Sequence, residues 1–346
     1  MARRKPMSRK KKGSGAATVL LGIFLLALLA AGGVVWLALT PYGPETETFV
    51  ELAPGSSTAL IGRQLEAAGV VRSQYVFDLL RFWKRGKLRA GEYRFDHEAP
   101  VTEVYARIAR GDVFTRTLTV PEGANIFDIA ARVEQGGFGT RQEFLNAAVE
   151  QVELVADLDP EAKSLEGYLF PDTYRFERKT SPAQIATAMV RRFRVVAGQV
   201  GLKENVHQVL TIASLVERET AVDSERPLVA SVFENRLRKK MPLMTDPAVI
   251  YGLELEGRWR GALYASDLTH ATAYNTYLHN GLPPGPVANP GLRSLRAAMQ
   301  PAETDYLYFV AAGADPEGHS LFASTLDEHN REVASYRHAL KKAGER

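Results

Sequence analysis

The stretch VHQVLTIASLVERET, residues 206–220, has the spacing of a helix with one apolar face. Its apolar side chains recur at intervals of three and four residues, as they do along one side of an α-helix. The stripe consists of Val206, Val209, Leu210, Ala213 and Val216. We therefore predict a helix that buries this stripe in the core of a folded domain.

Glu217 follows Ala213 by four residues and so falls on the apolar stripe, where a core side chain is expected. Glu219 is about 200° further around the helix and should project elsewhere. Desolvation disfavours the charged form of a carboxyl group and raises its pKa, which suits a general acid near neutral pH. Glu217 is our candidate catalytic acid. The alternative is a helix-end glutamate paired with Arg218 or Arg226.

The segment after this helix combines predicted helices with long polar loops. Thr245-Asp246-Pro247 has the pattern of a helix cap with proline in the first turn, and that helix carries Tyr251. Loops at 273–277 and 281–286 follow, and Asn289-Pro290 is predicted to cap a further helix. Loops of this length inside a compact domain are usually functional.

An aromatic run at residues 166–174 has a carboxylate near each end, Glu166 and Asp172. Aromatic planes beside carboxylates suit sugars, whose apolar faces stack while their hydroxyls form hydrogen bonds. A buried aromatic strand with a turn at Pro171-Asp172 explains the run equally well. A linker is predicted before it, at 157–163.

An internal repeat with an offset of 68 residues aligns Gly55 with Gly123. Each copy is predicted to form a strand, at 49–52 and 117–120, then a turn and two helices. Two such βαα units can serve as packing units or as a pair of ligand-binding modules. The repeat alone does not separate these interpretations.

Residues 16–39 form an uncharged stretch of 24 residues in which Thr18 is the only polar residue. As a helix it measures about 36 Å, enough to cross a hydrocarbon core of about 30 Å. Seven cations precede it, which predicts a cytoplasmic N-terminus, an extracytoplasmic remainder and a cytoplasmic (inner) membrane location. The alternative, a cleaved signal peptide, usually has a shorter apolar core of about 7–15 residues.

The net charge of +3 is unevenly distributed. The seven cations lie within residues 1–12, which leaves 36 basic and 40 acidic residues, a net charge of −4, for the rest of the chain. This balance argues against nucleic acid as a partner. The seven histidines are scattered without a metal-binding spacing and there is no cysteine, so we expect no metal and no cofactor.

Several motifs together resemble the YceG-like (MltG) family of endolytic murein transglycosylases, from the apolar segment to Tyr336. They are Ala213-Ser214-Leu215-Val216-Glu217-Arg218-Glu219-Thr220, Ser231-Val232-Phe233-Glu234-Asn235-Arg236-Leu237, Thr245-Asp246-Pro247, Tyr251-Gly252, Tyr274-Asn275-Thr276-Tyr277, Gly281-Leu282-Pro283-Pro284-Gly285-Pro286 and Tyr306-Leu307-Tyr308-Phe309-Val310. The resemblance departs from the commonest family pattern only at Leu215 and Arg218, where isoleucine and lysine are usual.

The resemblance implies a membrane-anchored lytic transglycosylase that cuts nascent peptidoglycan strands internally and leaves 1,6-anhydro-N-acetylmuramic acid ends. Such cleavage is expected to terminate elongation of the glycan strand. It places the catalytic glutamate of the family's E-x-E-T element at Glu217 and implies a LysM-like N-terminal region and proximity to peptidoglycan synthases. The expected substrate-binding residues are Glu166, Glu219, Tyr251, Asn275, Thr276 and Tyr277.

The expected fold class is α+β, with a single transmembrane helix, LysM-like βαα subdomains and a mainly helical catalytic domain with small sheets. The expected boundaries are a basic tail at 1–15, an anchor at 16–39, a LysM-like subdomain at 45–112 and a catalytic domain at 113–346. Within the last, 113–160 is the second repeat and 161–346 the catalytic core. A hydrolase that uses water, or an anchored glycan-binding scaffold, remains the alternative.

Overall fold

The computed structural model of the chain describes residues 14–313 and 318–344. The predicted basic tail lies almost wholly outside the described residues. The chain divides into two compact units, Met1–Thr115 and Arg116–Arg346. Within the described residues, helices and three small sheets are mixed, which confirms the α+β class.

The first helix, α1 (Ser14–Leu39), is apolar along its whole length. Its stretch from Ala17 to Leu39 reaches a mean hydropathy of 2.6, and none of it is buried inside the protein. A 26-residue helix with apolar side chains on every face is long enough to cross a membrane. The helix fits the predicted transmembrane segment.

The rest of the first unit is a two-stranded sheet covered by three helices. Strand β1 pairs antiparallel with β2, with Thr48 opposite Phe95. The elements are β1 (Thr48–Leu52), α2 (Thr58–Ala67), α3 (Gln74–Lys84), β2 (Gly91–Phe95) and α4 (Val101–Arg110). Its core includes the fully buried side chains of Leu65, Phe77 and Tyr93.

The second unit opens with a strand followed by two helices, the order that the first unit has after α1. Helix α5 begins 68 residues after α2 and ends 68 residues after it, as the sequence offset requires. Capping boxes formed by Asn125 with Asp128 and by Thr140 with Glu143 begin the two helices. The elements are β3 (Arg116–Thr119), α5 (Ile126–Gln135) and α6 (Arg141–Glu150), and β3 pairs antiparallel with β4 (Thr173–Phe176).

The remaining helices pack around α8, whose buried residues include an unbroken run from Leu210 to Val216. Helices α9 and α11 lie directly against it. A hairpin of β5 and β6 and the last helix complete the unit. The elements are α7 (Pro182–Val200), α8 (Val206–Glu219), α9 (Arg226–Arg238), α10 (Asp246–Leu255), α11 (Leu292–Met299), β5 (Tyr308–Ala311), β6 (Ser320–Ala323) and α12 (Leu326–Gly344).

The aromatic run at 166–171 is core structure without a strand, since Tyr168 is fully buried and β4 begins only at Thr173. The chain turns at Gly167, whose φ of +89° favours glycine. A Cβ atom at Gly167 would also lie 2.6 Å from Cγ of Pro286. Packing of the run against the 281–286 loop therefore depends on this glycine.

The segment predicted as a linker, 157–163, is tied into the core through Asp159, which is 2% exposed. Its carboxylate accepts hydrogen bonds from the Tyr168 hydroxyl and, at 2.7 Å, from Nδ1 of His207. The segment has no helix or strand, as expected of a linker, but Asp159 fixes it to the core. Here the polar side chain is buried and fully bonded.

Candidate active site

Glu217 lies in the last turn of α8 with its side chain only 5% exposed, as the apolar stripe predicts. Its Oε1 accepts a hydrogen bond from Nη1 of Arg226 at 2.8 Å. Its Oε2 accepts one from the backbone N–H of Gly291, also at 2.8 Å. The ion pair with Arg226, which the sequence offers as the alternative for Glu217, is therefore formed. The Glu217 side chain is nevertheless buried.

Arg226, the first residue of α9, is itself 7% exposed at its side chain and has further acceptors. Nη1 also donates to Oγ of Ser294 at 2.6 Å, and Nε donates to Oδ1 of Asp223 at 3.2 Å. The carboxylate of Asp223, three residues before α9, faces the guanidinium groups of Arg226 and Arg293. Arg226 thus joins α8, α9 and α11 at one point.

Two loops border Glu217, and Glu166 holds them together. Oε2 of Glu166 accepts from the backbone N–H of Ile126 at 2.8 Å, and Oε1 accepts from Nδ2 of Asn289 at 2.7 Å. Asn289 also donates to the carbonyl of Ala124 at 2.9 Å. The prediction that Asn289 caps α11 is wrong, because Gly291 precedes that helix and the amide of Asn289 cross-links the loops.

Glu166 is 2% exposed, and burial raises its pKa to about 8 although its hydrogen bonds lower it. One of the stabilising donors is the hydroxyl of Tyr251, which is also buried. The ring of Tyr251 packs edge-on against Tyr274, with 5.0 Å between centroids. Neither Glu166 nor Tyr251 has surface for a sugar to contact in this conformation.

The raised pKa of Glu166 predicts a pH-dependent stability. Because the folded state binds this proton more tightly than the unfolded state, the free energy of unfolding should fall as pH rises from about 4.5 to about 8. Urea unfolding across this range should show the slope. In Glu166→Gln the slope should be reduced, even though the amide disturbs the loop contacts and lowers stability at every pH.

Glu219 points away from Glu217, as the helical angle predicts, and borders a separate cavity of about 500 Å³. Burial raises the pKa of its carboxyl to about 7, opposed by a hydrogen bond with Thr245. Arg236, Asp246 and Tyr277 are among the cavity's other lining residues. The hydroxyl of Tyr277 donates to Oδ1 of Asp246 at 2.6 Å.

Asn275 and Thr276 are buried and organise the loop that leads to Tyr277. Nδ2 of Asn275 donates to the carbonyl of His270 at 2.8 Å, and its Oδ1 accepts from the backbone N–H of Tyr277 at 3.0 Å. Oγ1 of Thr276 accepts from the backbone N–H of Thr245 at 3.0 Å. These two side chains fix the loop against the start of α10 and are not available to a ligand in this conformation.

Glu122, which the sequence analysis did not single out, brings a second carboxyl group towards Glu217. It belongs to the Pro-Glu-Gly turn of the second repeat, in which Pro121 and Glu122 are exposed and Gly123 is buried. Its carboxyl group packs against Gly291, where an added Cβ atom would lie 1.9 Å from Oε1 of Glu122. Burial, followed by the charge of Glu217, raises the pKa of Glu122.

The predicted site residues therefore fall into three groups: Glu217 with its arginine, the buried Glu166 and Tyr251 that hold the neighbouring loops, and the cavity with Glu219 and Tyr277. Among residues 14–313 and 318–344, no cluster of three or more histidine, aspartate and glutamate side chains has the arrangement of a metal site. The available chemistry is that of carboxyl groups beside arginine. The fold and site define an α+β protein with an apolar N-terminal helix and a carboxylate-centred site.

Residues 50–335 match the YceG-like family, and the chain belongs to that family. It is 34% identical to the endolytic murein transglycosylase of Bacillus subtilis strain 168, over 84% of this chain and 85% of that protein. It is 31% identical to the endolytic murein transglycosylase of Streptococcus pneumoniae R6, over 92% of this chain and 65% of that protein. A crystal structure of a YceG-like protein from Listeria monocytogenes superposes with a TM-score of 0.54 at 31% identity, covering 83% of this chain and 99% of that one.

Proposed function

We propose that this chain is a membrane-anchored endolytic lytic transglycosylase that cuts the MurNAc–GlcNAc bond within peptidoglycan strands. Membership of the YceG-like family and the names of its relatives support the activity. The observation that carries the assignment to Glu217 is its position at the end of α8, desolvated and held by Arg226 and Gly291. It is the first glutamate of the E-x-E-T element, residues 217–220.

The proposed reaction uses one carboxyl group twice. Protonated Glu217 donates its proton to the glycosidic oxygen as the bond from that oxygen to C1 of the muramic acid breaks. The resulting carboxylate takes the proton of the same sugar's C6 hydroxyl, whose oxygen forms the new bond to C1. The acid is regenerated and no water is consumed, so the second carboxylate of a two-carboxylate hydrolase is not required.

The ion pair with Arg226 is compatible with this cycle because the guanidinium has other acceptors. When Glu217 holds a proton, Arg226 still contacts Asp223 and Ser294. When Glu217 is a carboxylate, the arginine and the N–H of Gly291 stabilise its charge. We assign Glu122 to the same site as a second, more exposed carboxyl group that contacts the substrate.

The other candidate residues divide between support and binding. Glu166, Tyr251, Asn275 and Thr276 act through the loops that they hold, since they are buried. Glu219 and Tyr277 line the cavity and contact the sugar chain. All of the predicted residues therefore belong to the proposed site, but of these four supporting and two lining residues only Glu219 and Tyr277 contact the sugar directly.

The location and domain roles complete the proposal. The cations of residues 1–12 support a cytoplasmic N-terminus in the cytoplasmic membrane with the remaining chain outside. The strand–helix–helix order of the first unit supports a LysM-like glycan-binding subdomain. An enzyme held at this surface meets nascent strands there, in reach of the peptidoglycan synthases that make them.

Product mass tests the reaction directly. Purified protein and uncross-linked glycan strands should yield fragments with anhydro ends, which are one water lighter than reducing ends. In heavy-oxygen water these fragments should carry no label. Labelled reducing ends would instead indicate a hydrolase, and intact strands bound to the protein would indicate a scaffold.

A further inference from the structure

Helix α3 in the first unit presents large apolar side chains to solvent. Tyr75 is 74% exposed, Leu79 52%, Phe82 71% and Trp83 85%, and their spacing places them on one side of the helix. The opposite side of the helix buries Phe77 in the core. A second apolar face of this size on a helix that already packs against its own domain indicates an external partner.

The same segment is strongly basic although the exported chain is acidic overall. Residues 72–89 contain six basic side chains and one acidic side chain, Asp78, a local net charge of +5. The exposed cations among them are Arg72, Lys84, Arg85, Lys87 and Arg89. Aromatic and aliphatic side chains flanked by lysine and arginine are the composition of helices that lie in the headgroup layer of a bilayer.

The position of α3 beside the apolar helix identifies this partner. Both helices belong to the first unit, and α3 contacts α1. Leu37 and Ala38, at the end of α1, pack against the core of that unit. Arg72, two residues before α3, donates to the carbonyl of Pro41 at 3.3 Å and lies 5.6 Å from the ring centroid of Trp36. A bilayer that surrounds α1 therefore ends close to the start of α3.

We propose that α3 is a second membrane contact, in which Tyr75, Leu79, Phe82 and Trp83 enter the interfacial layer of the bilayer that α1 crosses. The neighbouring cations meet anionic phospholipid headgroups. This rests on the part of the proposed function that makes α1 a membrane anchor, and it does not depend on the catalytic mechanism. The contact holds the first unit in one orientation at the membrane surface.

Lipid-attached quenchers test the contact in the full chain. Because the chain has no cysteine, Leu79→Cys or Phe82→Cys provides a single labelling site for an environment-sensitive fluorophore. The labelled protein is reconstituted into phosphatidylcholine–phosphatidylglycerol vesicles that carry nitroxides at the headgroup or along the acyl chain. Tyr264→Cys, at a position 51% exposed in the second unit, is the matched control.

We expect emission at positions 79 and 82 to shift to the blue and to be quenched at least about twofold more than at position 264, most strongly by shallow nitroxides. Replacing phosphatidylglycerol by phosphatidylcholine, or Lys84, Arg85 and Lys87 by glutamine, should reduce the quenching.

The remaining outcomes overturn the proposal in distinguishable ways. Protein that floats with the vesicles but is not quenched has an anchor without an α3 contact. In that case, a shift on adding glycan strands identifies the face as a glycan surface, and self-quenching of the label identifies a second copy. If the protein does not float with the vesicles at all, α1 is not a membrane anchor, and the membrane part of the proposed function is wrong.

Discussion

Glu217→Gln should lower the rate of anhydro-ended fragment release by about a hundred- to ten-thousandfold, the range that general acid–base catalysis contributes. Glutamine keeps the shape of the side chain but can neither donate the proton to the leaving oxygen nor accept one from the C6 hydroxyl. Product release from uncross-linked strands, followed by mass spectrometry at fixed protein concentration, measures the effect. Strand binding should persist because the substitution leaves the cavity beside Glu219 intact.

Glu219→Gln is the matched control, two residues along the same helix. Its carboxyl group is also desolvated and has a pKa of about 7, so an acid at that position is chemically reasonable. We expect it to weaken activity by about tenfold through loss of sugar contacts, raising KM more than it lowers kcat. If Glu219→Gln abolished product release while Glu217→Gln retained near wild-type activity, the acid would be Glu219 and our assignment wrong.

Much of the fold follows from the sequence because local patterns determine it. The apolar stripe from Val206 to Val216 predicts both α8 and the burial of Glu217. The 68-residue offset predicts α5 from α2 because the same turn and helix signals recur. Tyr168 shows where such patterns fail, since an aromatic run predicts burial and ligand contact equally well, and only the surrounding chain makes it core.

The site was less accessible to sequence reasoning because its contacts join distant segments. Glu166 and Asn289 are 123 residues apart, and no local pattern shows that their side chains meet. The sequence does predict Arg226 as a possible partner of Glu217, because only nine residues separate them. Glu122 is not predicted because its turn has no signal of its own beyond its place in the repeat.

Arg226→Met should lower the free energy of unfolding of the second unit by about 3–5 kcal/mol, because it leaves the buried carboxylate of Glu217 without its charged partner. Both side chains are less than a tenth exposed, so water cannot replace the guanidinium. Ser294 loses its donor as well. Urea unfolding followed by the fluorescence of Trp259, in a chain with Trp36 and Trp83 replaced by phenylalanine, reports on this unit alone.

Arg293→Met is the control that distinguishes the loss of a buried ion pair from the loss of an exposed one. Arg293 also pairs with Asp223, but its side chain is 65% exposed. Its loss should cost at most about 1 kcal/mol, as for other surface ion pairs. A second comparison makes Arg226→Met in the Glu217→Gln chain, where the buried charge is already gone and the cost should shrink. An equal cost in both backgrounds would assign the effect of Arg226 to its packing and its bonds to Ser294 and Asp223, because only the charge pair depends on Glu217.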